Sequence, residues 1–452
     1  MLRIKSKQIV LLVGDILVIS LSLYLALFLR LLSIPTESSF MIHFNIFVPI
    51  FLVLLSFYFS FDFYDFDPLE VKLRQFSRLV NINIFVAIIG FVYFYLFSTS
   101  LVFAPKTILI LYTIISTILM VMWRFFLGPS FLRPQKKIKT LLIAQGDEYQ
   151  ELKNVVNSHN FYPFYFVSHL DINEEELGDD DTTLLKLKQI LDENEISQVV
   201  VDIRDARTNM LLPYLYNLAS QRKIHVFDAA MVYQDILKKM PMRGVGHFWF
   251  FESVHLNINA YEAVKRFLDI VLALPVLAIW IVLHPFVSLA IKLDSKGDVF
   301  IAQERYGFGG KIIKLYKYRT MSFSDSGKWL KDKDNTNKVT KVGFFLRKSR
   351  LDELPQVLSI ILGDLSFIGP RPDMLALGGQ LSATIPFYMM RYTVRPGLSG
   401  WAQTNQISPP QSLEETKIRL QYDLYYVKNR SLLLDLVILF RTVKVLVLRT
   451  GM

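Results

Sequence analysis

Two adjacent acidic residues, Asp352 and Glu353, have side chains that can attack an electrophile, bind a metal or transfer a proton. Apolar residues at helical spacing follow them, Pro355 is tolerated only in a first helical turn, and Gly363 is a natural helix stop. The pattern therefore predicts a helix that starts near Asp352. Neighbouring side chains on a helix point about 100° apart, so one carboxylate can attack or bind while the other holds a metal or steers a proton. An acidic pair that merely caps a helix is the alternative.

Six basic residues accompany this pair in the sequence. They are Lys317, Arg319, Arg347, Arg350, Arg371 and Arg395. Arg371 and Arg395 each precede a proline, which restricts their backbone to extended conformations. A guanidinium on such a stiff backbone is well suited to bind phosphate through paired hydrogen bonds. Carboxylates among so many cations predict a substrate with two phosphates and Mg²⁺, for which Asp352 and Glu353 are the candidate ligands.

The elements that must position these residues belong to a membrane protein. Hydrophobic residues make up 52% of the 452-residue chain, and its mean hydropathy is +0.35. Four segments near the N-terminus are long enough to cross a bilayer: Ile9–Leu29, Met41–Ser60, Leu79–Ala104 and Thr107–Leu127. Lysine and arginine cluster before the first segment, after the second and after the fourth, so both ends of this bundle are expected in the cytoplasm. Asp15, inside the first segment, is expected to cap or pair within the bundle.

The middle of the chain, residues 137–242, reads as a small α/β module. Short apolar runs at 139–144, 197–203 and 223–227 alternate with acidic helical patterns, which predicts a Rossmann-like parallel sheet. The turn after the first run lacks the glycine spacing of a dinucleotide fingerprint. We therefore expect a structural or dimerising module, with a homodimer as one outcome, rather than a cofactor site.

A fifth apolar segment, Phe267–Ile291, lies between Lys265–Arg266 and Lys292. The chain after it is rich in lysine and arginine, which favours the cytoplasmic side for everything that follows. Pro275 and Pro285 interrupt the segment. A broken helix that enters one leaflet and returns satisfies both observations, with Pro285 as the expected break. A kinked helix that crosses the bilayer is the alternative.

These patterns predict three domains: a four-helix transmembrane bundle at 1–134, the α/β module at 135–250, and a mainly helical catalytic domain at 251–452 with its membrane hairpin at 265–292. Ser431–Leu448 reads as an interfacial amphipathic helix, with a buried core helix as the alternative. The chain contains no cysteine, which excludes disulfides, thiolate metal sites and a cysteine nucleophile. The net charge of +10 favours anionic lipids and phosphates.

The sequence from about Tyr261 to Leu448 resembles the bacterial sugar transferases, the polyprenyl-phosphate phosphoglycosyl transferases. The shared segments are Lys317–Tyr318–Arg319–Thr320–Met321, Leu351–Asp352–Glu353–Leu354–Pro355–Gln356, Gly369–Pro370–Arg371–Pro372, Val394–Arg395–Pro396–Gly397 and Tyr422–Asp423–Leu424–Tyr425–Tyr426. The four N-terminal segments and the α/β module resemble the layout of the large form of this family.

The resemblance implies an enzyme that transfers a sugar-1-phosphate from a UDP-sugar to undecaprenyl (polyprenyl) phosphate and releases UMP. It implies that Asp352 is the nucleophile that forms a covalent phosphosugar intermediate, that Glu353 completes an acidic pair, and that Mg²⁺ is required. Such enzymes start lipid-linked glycan synthesis at the cytoplasmic face of the bacterial inner membrane. The implied partners are the UDP-sugar, the lipid phosphate and membrane lipids, without nucleic acid.

The chain departs from the usual family pattern at two places near these motifs. Arg350 stands where the family usually has serine, and Asn405–Gln406–Ile407 stands where it usually has Asn-Gly-Arg. A non-catalytic membrane scaffold of a polysaccharide assembly complex is the alternative function, although the intact acidic pair and arginines speak against it. An NAD-dependent enzyme acting on nucleotide sugars is a third reading, disfavoured by the missing glycine fingerprint.

Overall fold

The protein is described from a computed structural model. The described residues are 2–61, 63–64, 72–96, 106–127, 137–159, 162–170, 180–208, 211–221, 224–242, 258–321, 339–406 and 408–448. The chain divides into two compact units, Met1–Leu237 and Lys238–Met452.

Four long apolar helices begin the first unit, as the sequence predicts. They are α1 (Leu2–Leu31), α2 (Glu37–Ser60), α3 (Lys72–Leu96) and α4 (Lys106–Met122), and a π-helical turn, Trp123–Leu127, follows α4. Each is long and apolar enough to cross a membrane. Aromatic and aliphatic side chains fill the core between them. The expected pairing of Asp15 is confirmed, because its buried carboxylate accepts hydrogen bonds from Tyr64 and Arg124.

The small parallel sheet predicted for the first unit is also confirmed. Its strands are β1 (Ile138–Ile143), β2 (Phe164–Leu170), β3 (Gln198–Val201) and β4 (His225–Asp228), paired in the order β2-β1-β3-β4. The helices of this module are α5 (Asp147–Ser158), α6 (Asp180–Glu193), α7 (Leu212–Ser220) and α8 (Ala229–Leu237). Buried residues on both faces of the sheet form two cores, which explains the continuous apolar runs in the sequence. The strand β2 is not among the predicted runs.

The second unit combines helices with two two-stranded sheets. Its helices are α9 (Ile258–Asp294), α10 (Lys341–Ser349), α11 (Val357–Leu362), α12 (Leu375–Thr384), α13 (Trp401–Asn405), α14 (Leu413–Asn429) and α15 (Leu432–Leu448). Its strands are β5 (Phe300–Tyr306) antiparallel to β6 (Ile312–Tyr318), and β7 (Ser366–Ile368) parallel to β8 (Gly397–Ser399). Two 3-10 segments, Leu351–Gln356 and Tyr388–Thr393, connect these elements.

The apolar helix α9 differs from the expected hairpin. It is assigned as one continuous helix of 37 residues that contains both Pro275 and Pro285, so the structure does not show the break expected at Pro285. Residues spaced three or four apart along α9 pack against the rest of the unit, from Ala273 near β6 and α11 to Ile291 near α10. The opposite face leaves many large apolar side chains exposed, among them Phe267, Leu274, Ile281, Val282, Phe286 and Leu289. One face of α9 therefore packs against the rest of the unit, and the opposite face is exposed apolar surface.

Candidate active site

The two predicted carboxylates lie where the chain changes helix type. The helix α10 ends at Ser349, and Arg350 adopts a left-handed backbone conformation with φ of 58°. Its backbone N–H donates to the carbonyl of Arg347 at 3.2 Å and so closes the helix. Asp352 and Glu353 follow directly, in the 3-10 turn.

The prediction that an α-helix starts at Asp352 needs a correction. The 3-10 turn Leu351–Gln356 carries the pair, and α11 starts only at Val357. Pro355 has no N–H to donate to a carbonyl one turn earlier, which accounts for the delay. The predicted stop is confirmed, because Gly363 adopts φ of 96° and its N–H donates to carbonyls of the last turn of α11.

Glu353 is held by an arginine. Arg371 Nη2 donates to Glu353 Oε1 at 2.6 Å, and both side chains are mostly buried. Burial alone would raise the pKa of Glu353, but Arg371 and its hydrogen bond, with further positive charge from Arg350 and Arg305, hold that pKa at about 2. Glu353 is therefore a fixed carboxylate that is ionised at neutral pH.

Asp352 has a different environment, although it is the next residue. Its Oδ1 atom is buried, and none of the described residues gives it a hydrogen bond. Burial and the charge of Glu353 raise the pKa of Asp352 to about 6, against the opposing effect of three cations. Those cations are Lys317, Arg347 and Arg350. At neutral pH Asp352 is thus largely ionised, with an oxygen atom that the described protein leaves unsatisfied.

Three elements supply the positive charge around Asp352: Lys317 is on β6, Arg347 on the last turn of α10, and Arg350 at the junction. Arg347 Nε donates to Thr320 Oγ1 at 2.9 Å, which fixes its guanidinium beside the end of β6. The close approach of α10 to this strand depends on Gly343, since a Cβ there would lie 2.1 Å from the carbonyl oxygen of Thr320. Lys317 is distant from Asp352 in the sequence whereas Arg347 and Arg350 are close to it, and the fold brings all three to this carboxylate.

A buried network holds the turn that carries Arg371. Arg391 is 1% exposed and donates to the carbonyl of Arg371 at 3.1 Å. It also forms ion pairs with Asp373 and, at 2.6 Å, with Asp423. The Asp373 carboxylate accepts from Tyr388 and Tyr392 at 2.7 Å each. Because every partner of this network is fixed, Arg371 projects from a rigid support.

The two Arg-Pro segments lie side by side but direct their arginines to different partners. Gly397 N–H donates to the carbonyl of Pro370 at 3.0 Å, so the backbones are paired. Arg371 contacts Glu353, whereas Arg395 lies 3.7 Å from Glu262 of α9. Arg319 also has partners elsewhere, because its buried guanidinium donates to the carbonyl and hydroxyl of Ser295 at 2.7 and 3.0 Å. The structure thus brings Lys317, Arg347, Arg350 and Arg371 to the acidic pair, and places Arg319 and Arg395 on other contacts.

The basic residues at the ends of the apolar segment contact the second unit itself. Lys265 Nζ donates to Asp435 of α15 at 2.8 Å. Arg266 donates to the carbonyls of Ile360 and Ile361 at 2.5 and 2.6 Å and so caps the C-terminus of α11. Lys292 is exposed near the end of α9. These contacts tie the N-terminal part of α9 to the helix that follows the acidic pair.

A cavity of about 460 Å³ opens beside Glu353 and Arg371. One part of its wall is apolar and includes Val276, Leu354, Val357, Ile360, Leu398 and Leu439. The other part carries polar and charged side chains, including Arg350, Ser399, Gln403, Thr404, Gln406 and Arg419. A ligand with both apolar and anionic parts matches this lining.

Two arginines near the pair are absent from the sequence-based candidates. Arg305 donates to the carbonyl of Pro372 at 2.6 Å, and burial together with Arg371 lowers its pKa to about 10. Arg305 also donates to Gln303 Oε1 at 2.8 Å, two residues earlier on the same strand. Arg419 lines the cavity. Its spacing of four residues from Asp423 suggests an ordinary helix pair, and only the structure shows Asp423 engaged by Arg391.

The residues present fit a magnesium ion that shares its coordination with a substrate. Among the described residues, no group of three acidic or histidine side chains could form an all-protein site. Mg²⁺ is commonly bound by one or two carboxylates together with substrate phosphates and water. The unsatisfied Oδ1 of Asp352 beside an ionised Glu353 is a donor set of that kind.

Comparison of the sequence with known proteins shows the family to which the chain belongs. The sequence profile described as bacterial sugar transferase matches residues 260–449. An exopolysaccharide production protein, PSS, from Rhizobium leguminosarum bv. phaseoli is 38% identical over 185 residues, which are 40% of this chain and 92% of that protein. The chain belongs to the bacterial sugar transferase family. The matched region of this sugar transferase contains the acidic pair and all the cations described above.

Two further relatives carry names of defined reactions. A UDP-glucose:undecaprenyl-phosphate glucose-1-phosphate transferase of Escherichia coli (strain K12) is 41% identical over 204 residues, 45% of this chain and 44% of the relative. A UDP-N-acetylgalactosamine-undecaprenyl-phosphate N-acetylgalactosaminephosphotransferase of Aeromonas hydrophila is 39% identical over 194 residues, 42% of this chain and 45% of the relative. The sugar transferase thus matches somewhat less than half the length of these two relatives.

Proposed function

We propose that this sugar transferase moves a sugar-1-phosphate from a UDP-sugar to undecaprenyl phosphate, releases UMP, and so starts lipid-linked glycan synthesis. The observation that carries the proposal is the difference between the two neighbouring carboxylates. Glu353 is fixed and ionised by Arg371, whereas Asp352 keeps a buried oxygen without a hydrogen bond among the described residues. A nucleophile needs such an uncommitted oxygen.

The proposed reaction has two displacements at one phosphorus atom. An Asp352 oxygen attacks the sugar-bearing phosphorus of the UDP-sugar, and the bond from that phosphorus to the bridging oxygen breaks, so UMP leaves with the electron pair. A phosphate oxygen of undecaprenyl phosphate then attacks the same phosphorus, and the bond to Asp352 breaks. The carboxylate is regenerated and the product is a sugar linked to the lipid through a diphosphate. Two displacements replace a single difficult one.

The cations beside Asp352 would act on the charge that develops during both displacements. Lys317, Arg347 and Arg350 all interact with the Asp352 carboxylate. A phosphoryl group bound there would replace the carboxylate as their partner. A positioned donor of this kind typically lowers the activation free energy by about 3 kcal/mol. Mg²⁺ held by Asp352 and Glu353 would add neutralisation of phosphate oxygens.

The proposed place of the reaction is the cytoplasmic surface of the bacterial inner membrane, with the four N-terminal helices crossing the bilayer. For α9 we propose insertion into one leaflet without crossing. Its apolar part of 35 residues would be about 52 Å long if straight, which exceeds a hydrocarbon core of about 30 Å.

Contacts along the whole of α9 support this arrangement. Arg266 near its start caps α11, His284 in its middle lies 2.9 Å from the Tyr318 hydroxyl, and Asp294 at its end accepts from Val342 N at 2.8 Å. If α9 crossed the membrane, its two ends would lie on opposite sides of the bilayer, although both ends contact the same domain. Lateral insertion of the exposed apolar face avoids this.

Two single cysteines test the membrane arrangement, because the native chain has none. Ala260→Cys and Lys296→Cys place exposed thiols at the start and just beyond the end of α9. With a membrane-impermeant maleimide, we expect both to react from the cytoplasmic side of inverted vesicles and neither from outside intact cells. Labelling of the two positions from opposite sides would establish the crossing helix instead.

The function is tested by UMP release from a panel of UDP-sugars with purified full-length protein, undecaprenyl phosphate and Mg²⁺. We expect at least one UDP-sugar to yield UMP, and Asp352→Asn to abolish the release. Asp298→Asn, an exposed acid outside the site, is the matched control and should remain active. Absence of UMP with every UDP-sugar would favour the scaffold function, and an active Asp352→Asn variant would show that the nucleophile is misassigned.

The panel must be broad because relatives named for glucose and for N-acetylgalactosamine have nearly the same identity to this chain. Gln406, which departs from the usual family pattern, lines the cavity beside the acidic pair. We therefore propose that Gln406 contacts the sugar. Dimerisation through the α/β module stays a prediction from the sequence.

A further inference from the structure

Arg419 is a cation of the cavity that has no role in the account so far. It lies on α14, is half-buried, and lines the same cavity as Glu353 and Arg371. Within the described parts of the chain it makes no hydrogen bond and no ion pair. A half-buried guanidinium that the described residues leave without a hydrogen bond or an ion pair has donors that a ligand can use.

The acidic groups nearest to Arg419 are already engaged. Asp373 and Asp423 both form ion pairs with Arg391, the second at 2.6 Å. Burial, and then the positive charge of Arg391, lower the pKa of Arg419 from its usual value, although Asp423 and Asp373 partly offset them. Arg371, which also repels it, is bound to Glu353. Asp373 and Asp423 together balance the charges of Arg391 and Arg419, but both carboxylates are bound to Arg391, so the hydrogen-bond donors of Arg419 stay available to a ligand.

The shape of the cavity indicates what kind of anion Arg419 can bind. The apolar part of its wall comes from α9, α11 and α15 and from the 3-10 turn, through side chains such as Val276, Val357, Ile360 and Leu439. Two of these helices, α9 and α15, also carry exposed apolar residues on their outer faces. A hydrocarbon chain could pass from that surface along the apolar wall and end at Arg419.

We infer that Arg419 binds the phosphate of a phosphate monoester that carries a hydrocarbon chain, with the chain lying against the apolar wall of the cavity. In the proposed reaction this ligand is the lipid acceptor, so the inference rests on the proposed function for its biological meaning. The diphosphate of a UDP-sugar offers the same oxyanion chemistry without the hydrocarbon, and the experiment below separates the two. Arg419 is a binding residue in this account and takes no part in bond making.

The first test measures binding without turnover, by thermal unfolding of the full-length protein in non-ionic detergent. The probes are decyl phosphate, which has the phosphate and a hydrocarbon chain, and UDP, which has the diphosphate alone. The variants are Arg419→Gln, Arg419→Lys and a control on the same helix, Lys417→Gln. Lys417 pairs with Glu414 at 2.7 Å and is not among the residues that line the cavity, so it reports the loss of an unrelated charge.

We expect the apparent Kd for decyl phosphate to rise about tenfold or more in Arg419→Gln, as for the loss of a hydrogen bond between charged groups. Arg419→Lys should retain part of the affinity, and Lys417→Gln all of it. The Kd for UDP should change by less than about threefold. Without ligand, Arg419→Gln should unfold at nearly the same temperature as the native protein, because the described residues give Arg419 no hydrogen bond or ion pair to lose.

The second test divides the reaction into its two halves. In Arg419→Gln the KM for undecaprenyl phosphate should rise about tenfold or more, while the KM for the UDP-sugar stays within about threefold. An equal rise in both constants, or a Kd for UDP that rises instead of that for decyl phosphate, would overturn the assignment to the lipid phosphate. A native protein that does not bind decyl phosphate, or an Arg419→Gln protein that unfolds at a clearly lower temperature without ligand, would overturn the inference altogether.

The inference and the proposed function fail in different ways. Arg419-dependent binding of decyl phosphate without UMP release from any UDP-sugar would leave the binding site in place and remove the reaction. UMP release together with unchanged decyl phosphate binding in Arg419→Gln would support the reaction and remove the binding site assigned to Arg419.

Discussion

The ion pair between Arg371 and Glu353 makes a measurable prediction about stability. Arg371→Gln removes the guanidinium that lies 2.6 Å from Glu353 and leaves a mostly buried carboxylate without its main cation. Because breaking one partner of a buried pair strands the other, the variant should be less stable than the native protein at neutral pH.

The size of the effect follows from the carboxylate. The pKa of Glu353 is lowered from its usual 4.5 to about 2, which corresponds to about 3 kcal/mol. The side chains of Arg371 and Glu353 are 31% and 21% exposed, so solvent screening makes this an upper limit. For a unit of this size, a loss of about 3 kcal/mol lowers Tm by roughly 6–12 °C.

The pH dependence of this loss has a definite sign. A carboxylate whose pKa is lower in the folded protein contributes its stabilisation above its usual pKa, here 4.5, and loses it as the pH falls toward 2. The difference in Tm between the native protein and Arg371→Gln should therefore be complete at pH 7 and shrink below pH 4.5. Thermal unfolding of full-length protein in detergent with EDTA, at a series of pH values, measures it.

Arg395→Gln is the matched control for Arg371→Gln. Arg395 also precedes a proline and its side chain is also 31% exposed, but its guanidinium lies 3.7 Å from Glu262. We expect a loss of at most about 1 kcal/mol. Equal losses in the two variants, or an Arg371→Gln deficit that does not shrink with acid, would refute the role assigned to the Glu353 pair.

Further predictions concern the supports of the site, each measured by thermal unfolding. Asp269→Ala should lower the free energy of unfolding by about 2–4 kcal/mol, because the buried carboxylate accepts from Phe367 N and a serine hydroxyl. Asp269→Asn keeps an acceptor and should lower it by less than about 1 kcal/mol. Similar losses in the two variants would contradict this role. Arg391→Met should cost about 3–5 kcal/mol, since it strands two buried carboxylates, and a neutral result would show that the network is dispensable.

The sequence predicts most of the elements of this protein but few of its long-range partners. The N-terminal apolar helices and the strands β1, β3 and β4 have strong periodic or apolar signals. The strand β2, Phe-Tyr-Phe-Val-Ser-His-Leu, is not predicted by the sequence because its apolar run is short and aromatic and is followed by the polar residues Ser168 and His169. The prolines of α9 suggest a break by a local rule, yet packing along one stripe accompanies a continuous helix.

The site shows the same division. The residue types of the acidic pair and of its cations are visible in the sequence, and so is the helix stop at Gly363. The left-handed backbone of Arg350 is not visible in the sequence, because that conformation is predicted mainly from glycine and, less often, from asparagine. Arg371 and Arg395 occur in similar motifs, and only tertiary contacts assign one to Glu353 and the other to Glu262.

The most direct test of the central claim is to trap the sugar phosphate on the protein. Full-length enzyme is mixed with its UDP-sugar and Mg²⁺ in the absence of lipid phosphate, quenched in acid, digested and analysed by mass spectrometry. We expect a burst of UMP of no more than one per protein molecule and a peptide carrying the sugar phosphate on Asp352, with neither in Asp352→Asn. UMP that forms only when lipid phosphate is present, with no modified Asp352 peptide, would contradict the covalent mechanism.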